Sequence, residues 1–163
     1  MHFIKMNDAP RIIQHYDRSG VPALRPAMRN PSDRDEAFGP AVAGLYDAAV
    51  APELWPDALD ALEPLFASNA AHFFHWDRAA DRPTLSLPSH HYRGQAEYQH
   101  HYGSMDPRRR LLVRQPPGFL LLCHKHFDED SVRRSEFFND YSLPVGRRWV
   151  MTASLWDEAG IAA

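Results

Sequence analysis

Cysteine is almost absent from this sequence, since Cys123 is the only one in 163 residues. A single cysteine excludes an intrachain disulfide and a four-cysteine zinc site. The sequence also lacks any apolar run close to the roughly 20 residues that a membrane-spanning helix needs. Lys5 and Arg11 interrupt the start of the chain where a signal peptide would have its hydrophobic segment. We therefore expect a protein of a reducing compartment, most simply the cytoplasm, without membrane contact.

The chain has no strong charge of either sign, because 18 basic and 21 acidic residues leave a net charge of −3. This balance provides no global attraction to nucleic acids, membranes or acidic substrates. One basic cluster, Arg108–Arg110 with Arg114, could contact phosphates, but neither alternating aromatic residues nor a helix-turn-helix pattern accompanies it. We interpret the cluster as a solvated face or as salt-bridge partners of the acidic region 39–77. Nucleic-acid binding is the alternative.

The amino-acid composition changes near Gly39, which predicts a boundary there. Residues 1–38 contain four prolines, mix both charges and show no sustained apolar period, which predicts a disordered or loosely ordered extension. Residues 39–77 contain no lysine or arginine, and apolar residues at helical spacing begin there. Because 44% of the residues are hydrophobic, residues 39–163 can bury a core and are predicted to form one domain.

Local patterns predict that this domain is α+β. Apolar spacing predicts helices over 41–50 and 52–65, and an aromatic-rich segment predicts a strand over 70–77 with a hairpin partner at 84–87. Later in the chain we expect helices over 93–103, 107–114 (capped by Asp106) and 128–141 (capped by Asp130 or Ser135), and strands over 119–123 and 149–156. A turn over 157–160 leaves only three residues, too few for a normal returning strand.

The ten histidines raise the question of a metal site. They include the pairs His90–His91 and His100–His101, but none of their spacings matches a zinc motif. His124 and His126 would share one face of a strand and could chelate an ion with a third ligand from elsewhere. We expect no metal site and no cofactor. The alternative is a small enzyme that uses a metal or Cys123 beside these two histidines.

Aromatic residues recur on the predicted elements and suggest a ligand pocket. Two lie on one face of the first strand, two on the helix over 93–103, and the last strand adds a tryptophan and a methionine. The ordinary interpretation is a hydrophobic core; the functional one is a cavity for a small apolar or planar ligand. The predicted pocket residues are Phe74, Trp76, Tyr98, Tyr102, Trp149 and Met151.

Four segments, in order along the chain, form a pattern. They are Leu45–Ala49 followed by Pro52–Trp55, Tyr98-x3-Tyr102-x3-Asp106-Pro107, Arg134–Asp140, and Pro144-x-Gly146. Together they resemble the N-terminal domain of LuxR-family helix-turn-helix transcriptional regulators over about residues 40–160. The resemblance implies a PAS- or GAF-like sensor domain, in which helices flank an antiparallel sheet, attached to a C-terminal DNA-binding domain.

The chain departs from that family at its end. The family's domain continues into a further strand and then into the DNA-binding domain, whereas this chain stops at Ala163. We therefore expect the sheet to lack its last strand and do not expect direct DNA binding. An exposed edge at Trp149–Trp156 would recruit a second copy or a partner's strand.

The expected function is a non-catalytic sensory domain of a LuxR-like regulator, without its own DNA-binding domain. Ligand binding would shift the population of two arrangements and so alter contact with a second copy or a partner. The alternatives are the small enzyme described above and a truncated gene product without function. Met1 and Met28 are both candidate starts of the chain.

Overall fold

The computed structural model of the chain describes residues 2–4, 30–113, 115–155, 157–158 and 161–162. The chain divides into two compact units. We call residues 1–3, 73–86 and 93–163 the sheet unit, and residues 4–72 and 87–92 the helical unit. The sequence predicted one domain over 39–163, so this division was not expected.

Helices and strands alternate irregularly along the chain, and the prediction of an α+β fold is confirmed. The helices are α1 (Pro31–Val50), α2 (Trp55–Leu62), α3 (Gln95–His100), α4 (Pro107–Leu112), α5 (Cys123–His126) and α6 (Glu129–Arg133). The strands are β1 (His2–Ile4), β2 (Ala71–Asp77), β3 (Arg82–Pro88), β4 (Leu120–Leu122), β5 (Met151–Ala153), β6 (Asp157–Glu158) and β7 (Ile161–Ala162). Short 3-10 turns occupy Pro52–Leu54 and Tyr102–Met105, and a π-helical segment occupies Phe137–Ser142.

In the helical unit, α1 packs against α2. Helix α1 begins at Pro31, earlier than the boundary predicted at Gly39, because Asn30 caps it by accepting the backbone N–H of Ser32 at 3.3 Å. The predicted extension 1–38 therefore contributes the first residues of α1. Residues 5–29 of that extension lie outside the described residues.

The sheet has the strand order β4-β5-β1-β2-β7-β6, with β3 also paired to β2. Two predictions are wrong here. Strand β5 is not an open edge, because β4 and β1 lie on its two sides, and β1 comes from the segment predicted to be an extension. Residues 161–162 do return as a strand, which pairs antiparallel with both β6 and β2. A two-residue strand is stabilised by its neighbours and leaves no periodicity in the sequence.

The sheet unit contains two hydrophobic clusters. Buried residues of the first are Phe74, Trp76, Leu112, Leu121, Cys123 and Val150. Those of the second are Tyr98, Val132, Phe137, Phe138 and Tyr141. The predicted strands over 70–77 and 119–123 and the helix at 107 thus supply the first cluster, and the predicted helices over 93–103 and 128–141 supply the second.

The predicted helix over 128–141 is interrupted. Asp128, rather than Asp130 or Ser135, caps α6 by accepting the backbone N–H of Ser131 at 2.7 Å. Asn139 then lies over the end of α6, where its side-chain nitrogen is 3.1 Å and 3.0 Å from the carbonyl oxygens of Val132 and Arg133. These contacts satisfy carbonyls that a helix end leaves without partners.

Gly94 has a role that another residue cannot fill. Its φ is +75°, and a Cβ atom there would lie 2.9 Å from the Cε2 atom of Tyr141. The Tyr141 ring cannot move freely, because its hydroxyl donates to the Gly94 carbonyl at 3.0 Å and accepts from Arg147 at 2.7 Å.

We expect Gly94→Ala to lower the free energy of unfolding by at least about 2 kcal/mol, because a left-handed backbone conformation and a steric overlap add. Gly44→Ala is the matched control. Gly44 lies within α1, and its Cβ would lie 3.9 Å from Ala58 of α2, so this substitution should raise stability by up to about 1 kcal/mol. Denaturant unfolding of the full chain measures both. Equal effects of the two substitutions would contradict this account.

Candidate functional site

A buried carboxylate organises the part of the sheet unit around α3 and α4. Asp106 is fully buried, caps α4 through the backbone N–H of Arg108 at 2.9 Å, and accepts the Tyr98 hydroxyl at 3.0 Å. Arg108 is 2% exposed, and its side chain donates to both oxygens of Asp106 at 2.8 and 2.9 Å. Burial opposes the charged guanidinium, but the charge of Asp106, its hydrogen bond and the smaller effects of Cys123 and Tyr98 together raise the pKa of Arg108 above its ordinary value. Arg108 therefore stays charged in the core.

The predicted basic cluster is thereby divided. Arg108 and Arg109 are buried, and they pair with Asp106 and Asp81, two carboxylates that lie outside the acidic region 39–77. Of the described members of the cluster only Arg110 is exposed; Arg114 lies outside the described residues. A nucleic-acid interface through this cluster would therefore have one exposed cation in the described part of the chain.

Asp106→Asn should lower the free energy of unfolding by about 3–5 kcal/mol, because it leaves the buried Arg108 charge without its counter-ion. Asp130→Asn, which breaks an exposed i,i+3 pair with Arg133, should change it by less than about 0.5 kcal/mol. Chemical unfolding monitored by tryptophan fluorescence measures both values. A cost below about 1 kcal/mol for Asp106→Asn would show that the ion pair is not a structural constraint.

A cleft of about 410 Å³ opens beside this network in the sheet unit. Its lining consists of an indole, three arginines, an aspartate and two smaller side chains, namely Trp76, Arg78, Arg109, Arg110, Asp81, Ser104 and Val113. Three guanidinium groups against one carboxylate give the lining a positive excess. The cleft can therefore accept an anion.

The Arg109 guanidinium lies 4.4 Å from the centre of the Trp76 ring. Arg109 also pairs with Asp81 and donates to the Ser104 carbonyl at 3.2 Å, while the Trp76 indole N–H donates to Asp81 at 3.2 Å. The hydrogen bond from Arg109 is the main reason that the pKa of Asp81 lies below its ordinary value. Asp81 is therefore ionised at neutral pH, and a stacked planar unit with a fixed hydrogen-bond pattern borders the cleft.

The β2–β3 turn brings two charged residues to the cleft. Asp77 at the end of β2 accepts the backbone N–H groups of Ala79 and Ala80 at 2.8 and 2.9 Å, which closes the turn. Asp81 then adopts a positive φ of 50°. Arg78 and Asp81 thus flank the hairpin tip, and both line the cleft.

Of the six predicted pocket residues, the cleft lining contains Trp76. Phe74 and Met151 are buried, and Tyr98 belongs to the Asp106 network. Tyr102 stacks on Tyr141 at 4.9 Å. Trp149 lies under the Arg148 guanidinium at 3.9 Å and beside the His124 ring at 6.2 Å. Sequence alternation identified the buried aromatic residues but could not place Arg109 and Arg110 at the cleft beside Trp76, because these two cations come from a helix more than 30 positions away.

Cys123, His124 and His126, the residues of the alternative enzyme hypothesis, are arranged differently from the prediction. Cys123 is 1% exposed, and burial is the main cause that raises the pKa of its thiol. His124 and His126 lie in α5, not on the predicted strand, and both are exposed. A raised thiol pKa disfavours the thiolate, which is the nucleophilic form of cysteine.

Cys123 should react with iodoacetamide much more slowly in the folded protein than in 6 M guanidinium at neutral pH. The unfolded thiol ionises at lower pH than the folded one, so the free energy of unfolding should also fall as pH rises above the ordinary thiol pKa. Alkylation rates by mass spectrometry test the first expectation and denaturant midpoints across pH 7–10 the second. Rapid alkylation of the native protein would restore the cysteine alternative.

The helical unit holds a second constellation, which the sequence analysis missed. Asp60, Glu63 and His91 place one ligand atom each within 4.8 Å of one another. The pair His90–His91 drew attention in the sequence, but its carboxylate partners are about 30 positions away, so no linear motif connects them. Asp60 and Glu63 at i and i+3 share a helical face, which is the only local signal.

Comparisons with known proteins identify no relative. No protein-family model matches the chain, and neither a curated protein nor a solved structure matches it significantly. Among the described residues, no helix combines the length and the apolar character needed to cross a membrane.

Proposed function

We propose that this chain is a cytoplasmic, non-catalytic sensory domain of a LuxR-like regulator, with a small planar anion as its ligand in the cleft beside Trp76. The Trp76–Arg109–Asp81 arrangement is the observation that carries the proposal. It supplies planar groups at the wall of the cleft whose polar atoms are already fixed by mutual hydrogen bonds. Preorganisation of this kind lowers the cost of ordering side chains when a ligand binds.

The residues that carry the family resemblance support this cleft indirectly. Tyr98 and Asp106 of the Tyr-x3-Tyr-x3-Asp-Pro pattern hold the start of α4, and α4 presents Arg109 and Arg110 to the cleft. Tyr102 of the same pattern stacks on Tyr141. The motif is thus a framework, and the cleft-lining charges Arg78 and Arg110 lie outside it, so ligand choice can vary while the framework stays.

The charge of the lining refines the ligand class that the sequence suggested. An apolar ligand would place no charge opposite the exposed Arg110, whereas a carboxylate or phosphate attached to a ring could pair with Arg110 and lie beside the indole. A volume of about 410 Å³ lies within the range of small-molecule sites.

Signal transmission would use the hairpin tip. A ligand anion competes with Asp81 for Arg109 and Arg110, because both arginines act on the Asp81 carboxyl. Release of Asp81 would loosen the β2–β3 turn, and ligand binding would favour that arrangement. We propose that this change alters contact with a second copy or a partner's strand at β4, which ends the strand order of the sheet and exposes Leu120.

A series of aromatic carboxylates with their uncharged carboxamide counterparts tests the cleft by calorimetry and tryptophan fluorescence. The best carboxylate should bind more tightly than its carboxamide, and Arg110→Gln should weaken it about fivefold, the worth of roughly 1 kcal/mol from a rim ion pair. Arg133→Gln, on the exposed face of α6, is the matched control and should leave the affinity unchanged. Equal loss in both variants, or equal binding of carboxylate and carboxamide, would overturn the proposed ligand class.

Native mass spectrometry of protein purified gently from cells provides the complementary measurement. A co-purified acidic aromatic compound that is lost in Arg110→Gln and retained in Arg133→Gln would identify the ligand directly.

A further inference from the structure

The carboxylates of Asp60 and Glu63 face a histidine from a distant turn. His91 Nδ1 lies 3.2 Å from Glu63 Oε2 and 3.5 Å from Asp60 Oδ1. Glu63 is 1% exposed, and the side chains of Asp60 and His91 retain 19% and 32% of their exposure. The cluster is thus a recess at the end of α2 and not a solvated surface patch.

The turn that carries His91 is held by hydrogen bonds of the two residues before it, Ser89 and His90. Ser89 accepts the backbone N–H of Ala71 on its hydroxyl at 3.0 Å and donates its own backbone N–H to the Ala71 carbonyl at 2.9 Å. His90 donates its backbone N–H to Asp60 Oδ1 at 3.0 Å, and its Nδ1 lies 3.1 Å from Asp60 Oδ2. Contacts of this kind orient ligands before an ion arrives.

The burial of His91 Nδ1 is the second observation. This nitrogen atom is buried and, within the described part of the chain, forms no hydrogen bond, although two carboxylate oxygens lie within ion-pair distance of it. Three potential ligand atoms within 4.8 Å of one another, one of them a buried imidazole nitrogen without a hydrogen bond, are an arrangement that a bound ion completes.

The distances fit a transition-metal ion. Bonds of about 2.0–2.1 Å from zinc to nitrogen and oxygen place neighbouring tetrahedral ligand atoms about 3.3 Å apart. The observed separations of 3.2 and 3.5 Å bracket that value. One imidazole with two carboxylates is a donor set that suits Zn²⁺ and, with added water, Mn²⁺ or Fe²⁺.

The negative charge of Asp60 and Glu63 also favours a bound cation. Two carboxylates whose ligand oxygens lie within 4.8 Å of each other, one of them almost fully buried, are stabilised by a cation between them. A divalent ion neutralises both. We propose that Asp60, Glu63 and His91 form a binding site for a divalent transition-metal ion, with zinc as the best-fitting ion, and that the metal joins α2 to the turn over residues 89–92.

Equilibrium dialysis of the full chain, without a histidine tag, against Zn²⁺ with metal analysis tests this site. We expect one zinc per chain and at least a 100-fold loss of affinity in His91→Gln and in Glu63→Gln. The double substitution of His124 and His126 to alanine is the matched control and should leave the stoichiometry at one. Absence of stoichiometric zinc in the parent protein, or loss of zinc in the control, would overturn the proposal.

A spectroscopic measurement on the unsubstituted protein keeps the proposal testable if a variant fails to fold. Co²⁺ added to the metal-free chain should give the intense visible absorption of a four- or five-coordinate ion, and Zn²⁺ should abolish it. A spectrum like that of hydrated cobalt would show that His91 only forms ion pairs. Mn²⁺ and Mg²⁺ titrations in competition with Co²⁺ complete the series, and displacement by Mg²⁺ as effective as that by Zn²⁺ would contradict the imidazole ligand.

Discussion

The buried ion pair between Asp106 and Arg108 is the constraint on which the sheet unit depends. A charge in the core is tolerated only if its counter-ion and its hydrogen bonds are in place, and here one carboxylate serves the guanidinium, a helix cap and the Tyr98 hydroxyl together. These demands fix the start of α4 relative to α3. The same guanidinium lies 4.7 Å from the centre of the Phe137 ring, which extends the constraint to the π-helical segment.

Three consecutive arginines have three different roles as a consequence. Once Asp106 has captured Arg108, the helical rotation of about 100° per residue directs Arg109 to Trp76 and Asp81 and leaves Arg110 exposed at the cleft. The buried ion pair and the exposed charge at the cleft therefore come from one short helix. A framework that is rigid for electrostatic reasons can present a preorganised site without additional residues.

In the helical unit the carboxylates face histidines, whereas in the sheet unit they face arginines. The carboxylates of the helical unit come from a stretch without lysine or arginine, so histidines from the turn after β3 face them. Imidazole nitrogen can act as a proton carrier or as a metal ligand, whereas an arginine could do neither. The choice of residue type at 90 and 91 thus permits coordination where the sheet unit permits only ion pairing.

Local features of the sequence were sufficient for α2, for β2 and for the Asp106 cap with Pro107 at the first helical position. Each of these depends on neighbours within a few residues, and periodicity and capping chemistry report such neighbours directly. The short strands β1 and β7, the helical turn at Cys123 and the interruption of the helix over 128–141 left no such signal. Their stability comes from partners distant in sequence, such as β2 for β7 and the carbonyls at the end of α6 for Asn139.

The candidate sites also combine features that the sequence predicted with features that depend on residues distant in sequence. The sequence by itself determined the aromatic core, the α+β class and the supply of histidines and arginines, because composition and spacing carry that information. Only the tertiary structure decided which arginines are buried, which aromatic residue borders a cleft and which histidine meets two carboxylates. Burial and long-range pairing set the electrostatic energy of each charged group, and neither is a property of a sequence window.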